Sequence, residues 1–124
     1  MNNLLSDRRI LVVEDEMLVL MTIEDMLTDL DCKTVAAAPT VDQALTLIGA
    51  QGFDAAMLDM NLNGDQSYAV ADALAAQGVP FIFSTGYGGR EVRDDYRDRP
   101  LLKKPFAFEE LMEKFSRLLA PDRQ

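Results

Sequence analysis

Short apolar runs alternate with longer stretches of helical period along this chain. Strands are predicted at "RILVVE" (Arg9 to Glu14), "CKTVAAA" (Cys32 to Ala38), "AAMLD" (Ala55 to Asp59), "PFIFS" (Pro80 to Ser84) and "LLKK" (Leu101 to Lys104). Between them Leu20, Ile23, Leu27 and Leu30 recur at helical spacing. So do Val41, Ala44, Leu45 and Ile48, behind a Thr40-x-x-Gln43 capping box. A third helix is predicted in the Ala-rich "SYAVADALAAQ", stopped by Gly78, and a last one carries Phe108, Leu111, Phe115 and Leu118 on one face. Strand and helix in alternation predict a parallel sheet wrapped by helices.

One stretch breaks the pattern. "GYGGREVRDDYRDRP", between the fourth and fifth strands, offers only Val92 and Tyr96 as apolar anchors in a run of glycines and charges. A fourth helix there is expected to be short, weakly docked and the most mobile part of the fold. The whole reads as one domain over 8–120, with flexible tails at 1–7 and 121–124. A right-handed (βα)5 α/β arrangement with parallel strand order 2-1-3-4-5 follows, and its site belongs at the carboxyl ends of the strands, near the point where strand order reverses.

Composition narrows the chemistry. At 124 residues and 48% hydrophobic, the chain suffices for one core and not for two domains. A net charge of −9 argues against nucleic acid or an anionic membrane surface as partner. No export signal and no apolar stretch of roughly 18 residues is found, so a soluble, cytoplasmic protein is expected. The single cysteine, Cys32, suits a small hydrophobe beside a strand better than a reactive thiol. Histidine is absent, which removes Ser-His-Asp and Cys-His catalysis and His-ligated zinc, and no G-x-x-x-x-G-K-[ST] loop is present. Chemistry must run on carboxylates, hydroxyls and lysines.

Those groups gather at the predicted strand ends. The first strand runs into Glu14-Asp15-Glu16, the third ends in Asp59, the fourth in Ser84-Thr85 and the fifth in Lys104-Pro105. In a 2-1-3-4-5 sheet the first and third strands are neighbours, so Asp15 and Asp59 emerge side by side. Two carboxylates about 4 Å apart repel by roughly 4 kcal/mol at an effective dielectric near 20, which a hard divalent cation would settle. Magnesium suits one or two carboxylates with waters and phosphate oxygens, here Asp15 and Asp59, with Glu14 acting through water. Taken singly, Asp15 fits a helix N-cap, Thr85 a turn hydroxyl and Lys104 a solvated charge. Taken together they form a constellation.

That constellation resembles the receiver domain of two-component response regulators over about Arg9 to Leu119. The acidic pair of "VVEDE", the aspartate of "MLDMNLNG", the hydroxyl of "FSTGYG" and the lysine of "KKPF" stand in the family's order and spacing. The resemblance implies a flavodoxin-like doubly wound fold and a signalling phosphoprotein. Asp59 would be the phosphoacceptor, attacking a phosphohistidine on a histidine kinase or phosphotransfer protein to give an aspartyl phosphate. Mg²⁺ would be held by Asp15, Asp59, Glu14 and the main-chain carbonyl of Asn61. Lys104 would meet the phosphoryl group as a point charge, its approach fixed by a cis Lys104-Pro105 bond, and Thr85 would bond a phosphoryl oxygen after transfer. Such a chain promotes its own phosphorylation and dephosphorylation without being a conventional multiple-turnover enzyme.

The resemblance also implies how the switch is read. Family members carry Tyr or Phe three residues before the lysine on the fifth strand, where this chain has Leu101. The stretch "PFIFSTGYGG" is instead similar to a subgroup with an aromatic-rich fourth strand and T-G-Y, in which Tyr87 is the candidate moving ring. Asn61 and Tyr87 occupy the positions that modulate hydrolysis of the acyl phosphate. The output face would involve the fourth helix region, the fifth strand and the last helix. The leading reading is a single-domain regulator that signals by phosphorylation-dependent contact with an effector protein. The alternatives are a phosphorelay carrier or phosphate sink, and the receiver portion of a hybrid kinase. A flavodoxin-like FMN protein would need a phosphate loop where Glu14-Asp15-Glu16 stands, and an aspartate-based phosphatase a second aspartate where Asn61 stands.

Overall fold

The computed structural model describes residues 8–32, 34–62, 65–86, 96, 99–104 and 106–119. Five parallel strands form the sheet: β1 (Arg9–Val13), β2 (Thr34–Ala38), β3 (Ala55–Asp59), β6 (Phe81–Thr85) and β7 (Leu101–Lys103), in the order β2-β1-β3-β6-β7. A two-stranded antiparallel pair, β4 (Asn61–Leu62) and β5 (Asp65–Gln66), follows β3 directly. Four helices are found among the described residues: α1 (Met17–Asp29), α2 (Val41–Ala50), α3 (Tyr68–Ala76) and α4 (Phe108–Leu119). Counted along the main sheet, this is the expected 2-1-3-4-5 order. The proposed short or mobile fourth helix falls mostly on residues outside the described ones, Val92 among them, as do both tails.

Alternation along the strands sorts the core into two layers. Leu11, Val13, Leu58, Phe81 and Phe83 face α2 and α3, where they meet Ala44, Ile48, Val70 and Leu74. Ile10, Val12, Met57, Ile82 and Leu102 face the other way, toward Leu20, Ile23 and Leu27 of α1 and Leu111 and Phe115 of α4. Side chains pointing alternately to opposite faces allow both to be apolar, as a sheet covered on both sides requires. Burying a large apolar side chain contributes about 1.5–3 kcal/mol, so these layers hold the strand ends in place.

The helices follow their predicted signals with small shifts. Thr40 Oγ1 accepts the Gln43 N–H at 3.1 Å, the cap expected of α2, and Gly78 stops α3 with φ of 73°, a backbone state that favours glycine. Strand boundaries differ by one or two residues. Cys32 stands before β2 rather than in it and is half-buried, and Glu14 and Lys104 lie just past the ends of β1 and β7.

Tyr96 is an anchor, as expected. It is buried, stacks on Tyr68 at 6.3 Å and meets Phe81 and Phe83 edge-on at 5.5 and 5.9 Å. Its hydroxyl donates to Asp72 Oδ1 of α3 at 2.5 Å, and Arg99 lies over the Phe81 ring at 4.5 Å.

Candidate functional site

The site is built by sheet register. Ladder pairing continues one residue past three of the strands: the Glu14 N–H donates to Ala38 O at 3.1 Å, the Met60 N–H to Ser84 O at 3.0 Å and the Lys104 N–H to Thr85 O at 2.8 Å. Residues at these ends are therefore fixed by main-chain bonds. Glu14 continues the parity of Ile10 and Val12, Asp59 that of Met57, Ser84 that of Ile82 and Lys104 that of Leu102. All four belong to the sheet face covered by α1 and α4.

Acidic groups converge there. Glu14 is 1% and Asp59 7% exposed, and Asp15 is half-buried. One carboxylate oxygen from each of Glu14, Asp15 and Asp59 lies within 4.8 Å of the others. Lys104 reaches across from β7 into this cluster. Its Nζ stands 2.9 Å from Glu14 Oε1 and 3.1 Å from Asp59 Oδ2, with Glu16 Oε1 at 3.8 Å. The second Glu14 oxygen accepts the Glu16 N–H at 3.1 Å.

Charge and burial oppose one another at these groups. Burial pushes the Glu14 carboxyl up to about 7, against the pull of the Lys104 ammonium and with the push of the Asp59 charge. Burial also disfavours the Lys104 cation. Hydrogen bonds and charge from Glu14 and Asp59 outweigh it, so the lysine lies above its ordinary value. Glu14, Asp59 and Glu16 face one ammonium, and the hard oxygen donors of Glu14, Asp15 and Asp59 are disposed to fit a divalent cation of the magnesium type.

Of the residues singled out from sequence, the fold brings Glu14, Asp15, Asp59 and Lys104 together. Thr85 is buried on the adjoining strand end and pairs in register with Lys103. Leu101 pairs with Phe83 and packs into the core on the α2/α3 side. Asn61 directly follows Met60 and opens β4. Tyr87 and Pro105 lie outside the described residues. Sequence reasoning named Ser84 at the strand end but gave it no role; it is 1% exposed, faces Asp59 in register, and has an Oγ without a hydrogen-bond partner among the described residues. Sequence reasoning missed the β4/β5 pair beside the site, although the Asn-Gly dipeptide at 63–64 is a hairpin signal.

An open sheet with acids, a hydroxyl and a crossing lysine at its carboxyl edge defines an α/β domain of the doubly wound class with its polar site at the strand ends. The chain belongs to the response regulator receiver domain family, whose model matches residues 10–116. It is similar to SdrG from Sphingomonas melonis Fr1, with 43% identity over 97% of this chain and 100% of that one, at a TM-score of 0.81. The BeF3-activated conformation of SdrG, from Pseudomonas melonis Fr1, matches with 42% identity over 93% and 98% of the two chains, at 0.80. The receiver domain of the sensor histidine kinase PA1611 from Pseudomonas aeruginosa PAO1 carries a magnesium ion coordinated in its active-site cleft. It matches with 27% identity over 94% and 100%, also at 0.80. A comparison with curated proteins returned no match. No described helix is long and apolar enough to cross a membrane.

Proposed function

We propose that this receiver, over residues 8–120, accepts a phosphoryl group on Asp59 from a phosphohistidine of a partner kinase or phosphotransfer protein and signals through contact with an effector protein. The observation that carries the reading is the buried Asp59 carboxylate at the end of β3, held 3.1 Å from the Lys104 ammonium beside two further acids. In the reaction an Asp59 oxygen attacks phosphorus, the new P–O bond forms, and the P–N bond breaks with its electron pair returning to the partner's imidazole. Mg²⁺, held by Asp15, Asp59, Glu14 and the Asn61 carbonyl, would supply charge neutralisation for the transferring oxygens. Lys104 holds the nucleophile before transfer and is within reach of the phosphoryl oxygens after it, and Thr85 binds one of them.

A cytoplasmic location suits a phosphohistidine donor. Met17, Leu18 and Met21 are 63%, 80% and 51% exposed at the start of α1 and offer the donor protein an apolar landing beside the site. A groove of about 430 Å³ between α1 and Phe106 runs up to Lys104. Asn61 and Tyr87 are assigned to tuning hydrolysis, with Tyr87 taking over from the absent fifth-strand aromatic at Leu101.

Intact mass after incubation with Mg²⁺ and a small acyl phosphate tests the reading. One phosphoryl adduct is expected on the wild type and none on Asp59→Asn. An adduct that survives in the variant, or none on the wild type with any small donor or partner kinase, overturns it.

A further inference from the structure

Glu16 follows the acidic pair at the entrance to α1, and nothing in the transfer step calls for it. Its main chain is tied to the site: the Glu16 N–H donates to a Glu14 carboxylate oxygen at 3.1 Å, and its carbonyl accepts the Leu20 N–H at 2.9 Å in the first turn of α1. The side chain makes no cap hydrogen bond and is 66% exposed, so α1 does not depend on it. Its carboxylate nevertheless stands 3.8 Å from Lys104 Nζ, which Glu14 and Asp59 already hold at shorter range. The Glu16 and Asp59 oxygens lie against that one nitrogen at 3.8 and 3.1 Å, so they are at most about 7 Å apart, inside the roughly 8–10 Å over which physiological salt screens a charge. Glu16 is also the one acid among the described residues that line the groove leading to Lys104. An anion entering by that groove meets it before reaching Asp59.

We propose that Glu16 is a specificity residue whose charge insulates Asp59 from small, doubly charged acyl phosphates. The inference rests on Asp59 being the phosphoacceptor. With such a donor an Asp59 oxygen attacks phosphorus, the new P–O bond forms, and the P–O bond to the acyl group breaks, its electron pair leaving on the released carboxylate. The donor carries its negative charge throughout the approach, and Glu16 opposes it while taking no part in bond making. A like charge beside the entrance lowers the local concentration of the anion and the rate at which it is captured. A unit charge about 7 Å from a dianion in water, screened at about 50 mM ionic strength, slows capture roughly threefold. A singly charged donor feels half the repulsion.

The test follows adduct formation by intact mass in wild type, Glu16→Gln and Glu16→Asp, with Mg²⁺ at saturation as judged by calorimetric titration of each protein. The donors are acetyl phosphate, a dianion near neutral pH, and phosphoramidate, a monoanion. At about 50 mM ionic strength the glutamine variant is expected to react roughly threefold faster than wild type with acetyl phosphate and less than about twofold faster with phosphoramidate, and both gains should vanish near 1 M salt. The aspartate variant keeps the charge and is expected to stay near the wild-type rate. Equal rates for the glutamine variant and wild type with acetyl phosphate overturn the inference and leave the proposed function standing. A gain that is the same for both donors, that survives high salt, or that aspartate shares does so too, since charge would not be its cause. No adduct on the wild type from any small donor or partner kinase brings down both.

Discussion

Lys104→Met isolates the electrostatics of the site. The side chain keeps much of its apolar length and loses the charge that pairs with Glu14 at 2.9 Å and Asp59 at 3.1 Å. Oxygens of those two carboxylates lie within 4.8 Å, so two bare charges there repel by about 3.5 kcal/mol at an effective dielectric near 20. The protein can evade that repulsion by keeping Glu14 protonated, since burial already pushes this carboxyl up to about 7. Evasion is free at pH 5 and increasingly unfavourable above neutrality. The variant is therefore expected to lose about 1–3 kcal/mol at pH 5, the worth of a hydrogen bond to a charged group, and up to about 1.4 kcal/mol more at pH 8, the cost of keeping Glu14 protonated one pH unit above its wild-type value of about 7. Urea unfolding followed by circular dichroism in EDTA, from pH 5 to 8.5, measures both. Combining Lys104→Met with Glu14→Gln should remove the extra loss at high pH. A deficit that is the same at every pH would refute the reasoning and assign Lys104 a packing role.

Three further outcomes are expected, the first two from the same geometry and the third from the proposed switch. The Glu14 carboxyl is higher in the folded chain, about 7, than its ordinary 4.5, so its contribution to stability is fully present below about 4.5 and is lost as pH rises through 7. The metal-free wild type should thus weaken by about 3 kcal/mol across that window, and Glu14→Gln should flatten the profile in urea melts. Tyr96→Phe removes the hydrogen bond to Asp72 while leaving the aromatic packing, and should lower stability by about 1–2 kcal/mol in the same assay. Tyr87→Ala should shorten the life of the phosphorylated form and weaken phosphorylation-dependent effector binding, and unchanged values in both assays would remove Tyr87 from the switch.

Strand positions were legible because each strand is a short apolar run, and the site because acids, hydroxyl and lysine all fall at carboxyl ends of those runs. Register then did the rest: Asp59 opposite Ser84 and Val13 opposite Leu58 place the acidic groups side by side. The path of Lys104 was implied by the family resemblance and was not legible in the local pattern. A four-carbon stem can solvate its charge or cross a neighbouring strand, and only burial of Glu14 and Asp59 decides for crossing. The Asn61–Gln66 pair escaped notice because its two-residue strands lack alternating apolar positions, leaving Asn-Gly as the sole signal. The bond from Tyr96 to Asp72 joins residues 24 positions apart, one of them exposed on a helix, and no local pattern announces it.

On the proposed function, Asp59 is the residue modified. Borohydride reduction of the phosphorylated chain converts an aspartyl phosphate into homoserine, which peptide sequencing by mass spectrometry locates. Homoserine at position 59 is the result this account predicts. Homoserine at Asp15 or another acid, or phosphate on a hydroxyl with position 59 unchanged, would contradict it.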